Sequence, residues 1–400
     1  MEQTAFMSGP LEGIRVLDFS RHLAGPFAGM TLGDLGADVI KVEAPGRGDD
    51  TRGFPPYWNG ESCYFMSTNR NKRSVTIDLQ SEQGQEIARK LAAGSDIVLH
   101  NFRTGAPAKL GISYEQLREV NDRLIYCTIS AVGSDGPDKD RAGVDLLMQA
   151  YGGLMSITGE EGRPPVRVGT SVVDLTCGAN AVQGILAALY VRERTGKGQQ
   201  VESSLLEGQV SWMTYHAVSY FASGEAPQRL GSGHASVAPY GAFATRDGFL
   251  VVAVVNDGLW KRFCSALGRE ELVEDPRFAT NPDRCANNAE LKAELETTLC
   301  TDDADAWAAK MDDVGVPCSP VNSLDTVLNL PQVLHREMVV DLDHPTVPEL
   351  KMPGIPIKFG ETHGTVRMPP PLLGQHTDEV LGAIGYSVDD VSELRNAGVI

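Results

Sequence analysis

The stretch IRVLDFSRHLAGPFAGMTLGDLGADVIKVE, residues 14–43, sets two short β-branched runs, Ile14 to Phe19 and Ala37 to Glu43, on either side of a helical stretch. Strand, crossover helix, strand is how a parallel sheet is written, because parallel neighbours need a long return connection that covers one face. Downstream the pattern repeats: Ser74 to Leu79 (SVTIDL), Asp96 to Phe102 (DIVLHNF) and Leu124 to Ser130 (LIYCTIS) are three further strand candidates. Between the first two of these, Ser81 is placed to cap a helix whose Ile87, Leu91 and Ala92 share one face and whose stop is Gly94. The first third of the chain therefore predicts an α/β domain.

A long helix is expected from Leu175 to about Arg194, since Ala179, Val182, Ile185, Leu186, Leu189 and Tyr190 recur at helical spacing before the turn Thr195-Gly196-Lys197-Gly198. Asp174 falls at its expected N-cap. From Tyr240 to Val255 two alternating runs flank Arg246-Asp247-Gly248, a hairpin signature. Helical stretches near Asn288 to Cys300 and Asp303 to Asp313 follow, then the apolar run Val314 to Val321, which together read as a smaller α+β unit ending near Asp325. Beyond it the sequence is rich in loops and proline until a helix starts near Thr377. The expected division is a large domain over 10–220, a small one over 235–325, and an extension over 326–400.

The 400 residues carry 35 Lys and Arg against 53 Asp and Glu, a net charge of -18, which repels nucleic acid at long range. The seven cysteines are widely spaced and include no C-x-x-C pair, as in a reducing compartment. No apolar run in the sequence approaches the roughly 18 residues that span a bilayer, and Met1 to Pro10 lacks a signal-peptide core. A soluble cytoplasmic protein without nucleic-acid or membrane partners is the expectation.

Common nucleotide and hydrolase signatures fail on single residues. Gly46-Arg47-Gly48-Asp49-Asp50-Thr51 follows a strand but ends in Thr51, with acidic residues where a pyrophosphate would sit. Gly231-Ser232-Gly233-His234-Ala235-Ser236 fails in the same way, and there is no phosphate loop, paired-cysteine metal site, H-E-x-x-H or G-x-S-x-G. The basic stretch Asn69-Arg70-Asn71-Lys72-Arg73 leaves two readings open, phosphate donors or an internally paired turn. Asp174, at the start of an apolar helix, reads either as a plain cap or as a nucleophile held ionised by the helix amides and dipole.

Taken in order, Pro10-Leu11-Glu12-Gly13, Ala24-Gly25-Pro26, Asn69 to Ser74 (NRNKRS), Asp174, Thr195 to Gln199 (TGKGQ), His234 to Phe243 (HASVAPYGAF) and Pro370 to Leu381 (PPLLGQHTDEVL) resemble the family III CoA-transferases of the CaiB/BaiF type. The resemblance runs from about Pro10 to Ile400. It implies a Rossmann-like large domain built from both chain ends, a smaller α+β domain between them, and an interlocked homodimer. It also implies that CoA moves from an acyl-CoA donor to a free carboxylate, with Asp174 as nucleophile and an anhydride and an aspartyl-CoA thioester as intermediates. No permanently bound cofactor or metal is implied; CoA thioesters are substrates.

By the same resemblance, CoA contacts fall on Arg21, Ala24, Ile77, Asn101, Phe102, Lys109, Leu110 and Asp145. Substrate contacts fall on Leu23, Gly233 and His234, with backbone amides of Gly231 to Gly233 as oxyanion donors. Oxalate-specific members carry an arginine where this chain has Ala44, a gating glutamine where it has Leu23, and four glycines where it has Gly231 to His234. These differences point to a larger acceptor. Finer motifs, including Gly48-Asp49-Asp50-Thr51-Arg52 and Asp343-His344-Pro345-Thr346-Val347, resemble members that pair succinyl-CoA with glutarate, hydroxymethylglutarate or a close dicarboxylate such as itaconate, mesaconate or citramalate. Besides a transferase with another acceptor, of the mesaconate, citramalate or carnitine type, the resemblance leaves two other readings, a CoA-binding module without activity and an α-methylacyl-CoA racemase or epimerase. The racemase motif R-A-G-H-D is Arg141-Ala142-Gly143-Val144-Asp145 here, and Val144 cannot carry a proton, whereas the module reading is opposed by the retained Asp174.

Overall fold

The computed structural model describes residues 9–400. The chain divides into two compact units, one of residues up to Gly152, Gly169–Thr214 and Pro331–Ile400, the other of Gly153–Val168 and Tyr215–Leu330. The smaller unit thus begins before 235, runs past 325, and includes a segment that the sequence division left in 10–220. Local hydrogen bonds explain the inclusion: the Gly231 amide donates to the Gly159 carbonyl at 2.8 Å, and Arg229 donates to the carbonyls of Glu160 and Arg163.

The larger unit is built on six parallel strands: β1 (Arg15–Asp18), β2 (Asp38–Glu43), β3 (Lys72–Thr76), β4 (Ile97–His100), β5 (Ile125–Ser130) and β6 (Gln200–Ser204). Their spatial order is β3-β2-β1-β4-β5-β6, all pairings parallel. This is the doubly wound Rossmann order, with its topological switch between β1 and β4. Val16, Leu17, Val39, Val98 and Leu99 are fully buried, which is why these strands read as continuous apolar runs. The sixth strand escaped the sequence reading because QVESS is polar and lies at the sheet edge, with Gln200 and Glu202 exposed.

Helix α1 (Ala24–Asp34) follows β1, and α2 (Glu82–Ala93) lies between β3 and β4 with Ser81 accepting from the Gly84 amide at 3.0 Å. Helix α3 (Asp145–Tyr151) precedes the 24-residue α4 (Val172–Thr195), which ends on Gly196 in the left-handed conformation. Helix α4 is long and apolar enough to cross a membrane by length and composition, although Asp174, Asn180 and Gln183 interrupt its apolar run. Half of its most apolar window is buried within the protein, where it packs on α1, β5 and β6. The α1–α4 approach requires Gly178, since a Cβ there would stand 2.5 Å from the Ala24 carbonyl oxygen.

The extension returns to the larger unit. The Asn71 amide donates to Met368, the His376 amide to Ser74 and the Asp78 amide to Val399, and Val380, Leu381, Val391 and Leu394 enter the core over α2. The smaller unit holds a three-stranded antiparallel sheet, Tyr240–Ala244, Phe249–Ala253 and Cys318–Pro320, with the expected hairpin in place. Its core gathers Trp260, Phe263, Leu291, Leu295, Trp307 and Met311.

Candidate active site

The carboxyl ends of β1, β2, β3 and β4 open onto a cleft of about 150 Å³. Phe19, Arg21, Gly48, Asp49, Ile77, Phe102 and Leu110 are among its walls. In open α/β sheets this end, at the switch point, is where ligands bind. Of the expected CoA contacts, Arg21, Ile77, Phe102 and Leu110 meet here. Asn101 joins them indirectly: its side chain accepts from the Arg21 amide at 2.9 Å and donates to the Arg21 carbonyl at 2.7 Å. The Arg21 guanidinium lies 5.2 Å from the Phe102 ring centroid. Leu23 and Ala24 are buried at the start of α1, Lys109 is exposed on the short helix Ala106–Lys109, and Asp145 is not part of the cleft wall.

A buried ionic layer underlies the cleft. Lys41 on β2 donates to Asp49 at 2.9 Å and to the Ser20 carbonyl at 2.8 Å, with neither charged side chain exposed. Burial opposes the Asp49 charge, but Lys41 and the hydrogen bonds from Thr51 outweigh it and hold the carboxyl at about 2. Glu43 receives the Arg52 guanidinium at 2.7 and 2.8 Å together with the Ser74 hydroxyl. Lys72 donates to Asp18 at 2.9 Å and to the Pro26 carbonyl at 2.8 Å, and burial lowers its ammonium to about 8. This pair requires Gly29 on α1, where a Cβ would stand 2.6 Å from an Asp18 carboxylate oxygen.

These contacts resolve the two readings of the basic stretch. Arg70 forms a bidentate pair with Asp34, Lys72 pairs with Asp18, and Arg73 pairs with Asp38 and Glu379. Its cations brace the larger unit internally. Strand β3 begins at Lys72, two residues before the expected run, because Lys72 and Arg73 already pair with Val39 and Ile40 of β2.

Asp174 is the third residue of α4 and not its cap; Ser171 occupies the cap position without a side-chain hydrogen bond. The helix start is instead capped from a distance, with one Asp145 oxygen accepting from the amides of Val173 at 2.9 Å and Asp174 at 3.4 Å. The other Asp145 oxygen accepts from Gln149 at 2.6 Å. The Asp174 carboxylate is partly buried and has no hydrogen bond to another described residue. Burial, then the Asp145 charge, pushes its pKa up to about 7. The expectation of a carboxylate held ionised at its helix cap is not met: Asp174 stands inside the helix start, and the amides of Val173 and Asp174 donate to Asp145.

One neighbour was missed by sequence reasoning. Tyr64 is partly buried, and its phenol is raised first by burial and then by the charges of Asp174, Asp145 and Asp49, so it lies within electrostatic reach of all three. Its ring meets Phe54 edge-on at 5.6 Å, and Phe54 lies 6.4 Å from His22. Nothing in the spacing of Cys63-Tyr64-Phe65 signals this position, because the chain segment reaches it through tertiary packing.

In the smaller unit, Gly231 and Gly233 donate their amides to Gly159 and Leu230, at 2.8 and 2.9 Å. Those two amides are engaged and do not offer oxyanion donors as they stand. His234 accepts from the Ser236 amide at 3.2 Å, with its ring 5.4 Å from Tyr240 and 6.0 Å from Tyr215. Among the described residues no group of three or more His, Cys, Asp or Glu is placed to hold a metal ion.

The larger unit thus combines a doubly wound sheet, a cleft at its switch point, and a partly buried carboxyl group on α4 that no described residue hydrogen-bonds. The family model for CoA-transferase family III matches residues 11–377, and the chain belongs to that family. It is an acyl-CoA:carboxylate CoA-transferase. The succinyl-CoA:glutarate CoA-transferase of Mus musculus is 41% identical over 393 residues, 98% of this chain and 90% of that protein. The acetyl-CoA:oxalate CoA-transferase of Acetobacter aceti is 40% identical over 352 residues, 88% of this chain and 89% of the relative. A CaiB/BaiF family protein of Brucella suis has a crystal structure that superposes with a TM-score of 0.87 at 38% identity, covering 94% of this chain and all of that one.

Proposed function

We propose that the enzyme transfers CoA from succinyl-CoA to a dicarboxylate of about five carbons, glutarate first among them, through covalent catalysis at Asp174. The observation that carries this reading is the state of that side chain: partly buried, without a hydrogen bond from another described residue, and raised to about 7. A poorly solvated carboxylate is a better nucleophile than one neutralised by amide donors.

The Asp174 carboxylate attacks the thioester carbonyl, the C–S bond breaks, and CoA thiolate leaves a mixed aspartyl–succinyl anhydride. The thiolate then attacks the aspartyl carbonyl, releasing succinate and leaving an aspartyl-CoA thioester. The acceptor carboxylate attacks that thioester, its C–S bond breaks, and CoA thiolate leaves an aspartyl–acceptor anhydride; the thiolate then attacks the acceptor carbonyl, forming the new acyl-CoA and releasing the Asp174 carboxylate. Each step exchanges one activated acyl group for another, so no permanently bound cofactor or energy source enters. Arg21, Ile77, Phe102 and Leu110 around the cleft support binding of the CoA nucleotide, with Asn101 behind Arg21. Roles for Ala24, Lys109 and Asp145 toward CoA, and for Leu23, Gly233 and His234 toward the acceptor, rest on family resemblance.

The succinyl-CoA and glutarate assignment draws on the name of the mouse relative. The oxalate name of the Acetobacter relative makes acceptor identity the quantity to measure. Wild-type enzyme given succinyl-CoA and, in parallel, glutarate, hydroxymethylglutarate, itaconate, mesaconate, citramalate and oxalate should form glutaryl-CoA fastest, read by mass spectrometry. Fastest transfer to oxalate would overturn the acceptor, and undiminished transfer by Asp174→Ala would overturn the mechanism.

The working form proposed is an interlocked homodimer in the cytoplasm. Exposed apolar side chains on described helices support the dimer, among them Tyr190 at 64%, Trp212 at 51% and Phe221 at 80%. A folded monomer in sedimentation at nanomolar concentration would contradict it. Seven free cysteines support a reducing compartment, which cell fractionation tests.

A further inference from the structure

His100, the last residue of β4, is 2% exposed and has no part in the chemistry above. Its Nδ1 accepts from the Phe102 amide at 3.2 Å, so Nδ1 is unprotonated and the proton of the neutral ring sits on Nε2. Nε2 therefore donates to the Thr128 hydroxyl on β5, 3.1 Å away. Burial holds the imidazolium form down to about 4, so this arrangement persists through neutral pH. The ring stacks on Phe102 with an interplanar angle of 21° and a centroid separation of 5.9 Å.

The residue between them continues the chain of contacts. Asn101 pairs reciprocally with the Arg21 backbone across the switch point, and the Arg21 guanidinium lies over Phe102. The Arg21 turn is tied on both flanks as well, Ser20 by Lys41 through its carbonyl and His22 by Asp49 through its amide at 3.3 Å. His22 takes a left-handed conformation, φ 67°, which a non-glycine residue adopts only when its surroundings impose it. Two cleft-lining turns, after β1 and after β4, are thus locked to each other, and His100 is the buried anchor of the second.

We propose that His100 is a positioning residue for the nucleotide portion of the acyl-CoA: by fixing the Asn101–Phe102 turn it sets the backbone that holds Arg21 over Phe102 at the cleft. The proposal rests on the reading of this cleft as the acyl-CoA site. A group that acts this way prepays the ordering of the rim and leaves the reacting carboxyl untouched, so its loss weakens donor binding and spares the covalent step.

The test uses wild-type enzyme and four single variants of the whole chain. His100→Leu removes the acceptor for the Phe102 amide, while His100→Asn restores one, because an asparagine oxygen accepts from the amide two residues on. His100→Leu should raise the KM for succinyl-CoA at least about tenfold while kcat and the acceptor KM stay within about threefold, and His100→Asn should recover most of the loss. Far-UV circular dichroism and thermal melting establish that each variant is folded. Should His100→Leu not fold, His100→Asn and Thr128→Val, which removes the Nε2 partner, carry the test: the first near wild type in donor KM, the second raised. A fall in kcat with donor KM unchanged, or a donor KM unmoved in every folded variant, would overturn the proposal. Direct binding of CoA to wild type and to Arg21→Ala separates the two levels. If Arg21→Ala binds CoA as wild type does, the reading of the cleft fails; if it binds weakly while the His100 and Thr128 variants bind normally, only the role of His100 fails.

Discussion

Asp49 and Asp174 are the same amino acid in the same compact unit, and their surroundings drive them in opposite directions. Asp49 is almost fully buried, yet the Lys41 ammonium and the Thr51 amide and hydroxyl stabilise its charge and hold it at about 2. Asp174 is less enclosed, but no described residue donates to its carboxylate, so burial and then the Asp145 charge raise it to about 7. Burial acts against both charges; the supply of donors decides the outcome. Asp49 is thereby a structural ion, and Asp174 the carboxyl group proposed to react.

The largest effect that would break this contrast is on activity. Asp174→Asn, nearly the same in shape, should lower succinyl-CoA:glutarate exchange on the order of 10⁴-fold or more, as loss of a covalent nucleophile does. Exchange rates with purified variant settle it, and residual activity within tenfold of wild type would remove Asp174 from the mechanism. On the structural side, Lys41→Met leaves Asp49 buried without its counter-ion and should cost about 3–5 kcal/mol of stability, read by urea unfolding. Tolerance of that change would show the pair to be dispensable.

Ionisation provides a finer test. Because Asp174 must be charged to attack, kcat/KM should rise with pH along an acid limb centred near 7. Asp145→Asn keeps an acceptor for the helix amides while removing the repelling charge, and should move that limb down by up to about one unit. The smallest effect is on stability. A carboxyl whose pKa is raised on folding is relatively favourable below its unfolded value near 3.8, and that contribution is lost as pH rises through about 7. Asp174→Asn should therefore melt a few degrees above wild type at pH 8 and with it at pH 3.5. Asp49→Asn should show the opposite sign, a loss of stability that is full at neutral pH and fades only as pH falls from about 4 towards 2.

How much of this was legible in the sequence follows from how local each interaction is. The first five strands and the Ser81-capped helix could be read because apolar alternation and capping act over a few residues. The strand Gln200–Ser204 could not, since an edge strand needs no apolar pattern. Asp174 was recognisable as a candidate, but its charge state was not: the group that takes its helix amides, Asp145, lies 29 residues upstream. Similarly, Arg70 finds Asp34 across 36 residues, so no motif distinguishes a paired arginine from a phosphate donor. Tyr64 lay outside the sequence reading and His100 entered it only as part of the run Asp96 to Phe102, because only the folded sheet brings one into the field of Asp174 and sets the other beneath Phe102.

The claim that Asp174 is the covalent carrier is tested most directly by trapping. Enzyme incubated with succinyl-CoA and then hydroxylamine should carry a hydroxamate on the peptide that contains Asp174, found by peptide mass spectrometry and absent from Asp174→Asn. A label on another carboxylate, or an unlabelled Asp174 peptide while exchange proceeds at the normal rate, would contradict the account.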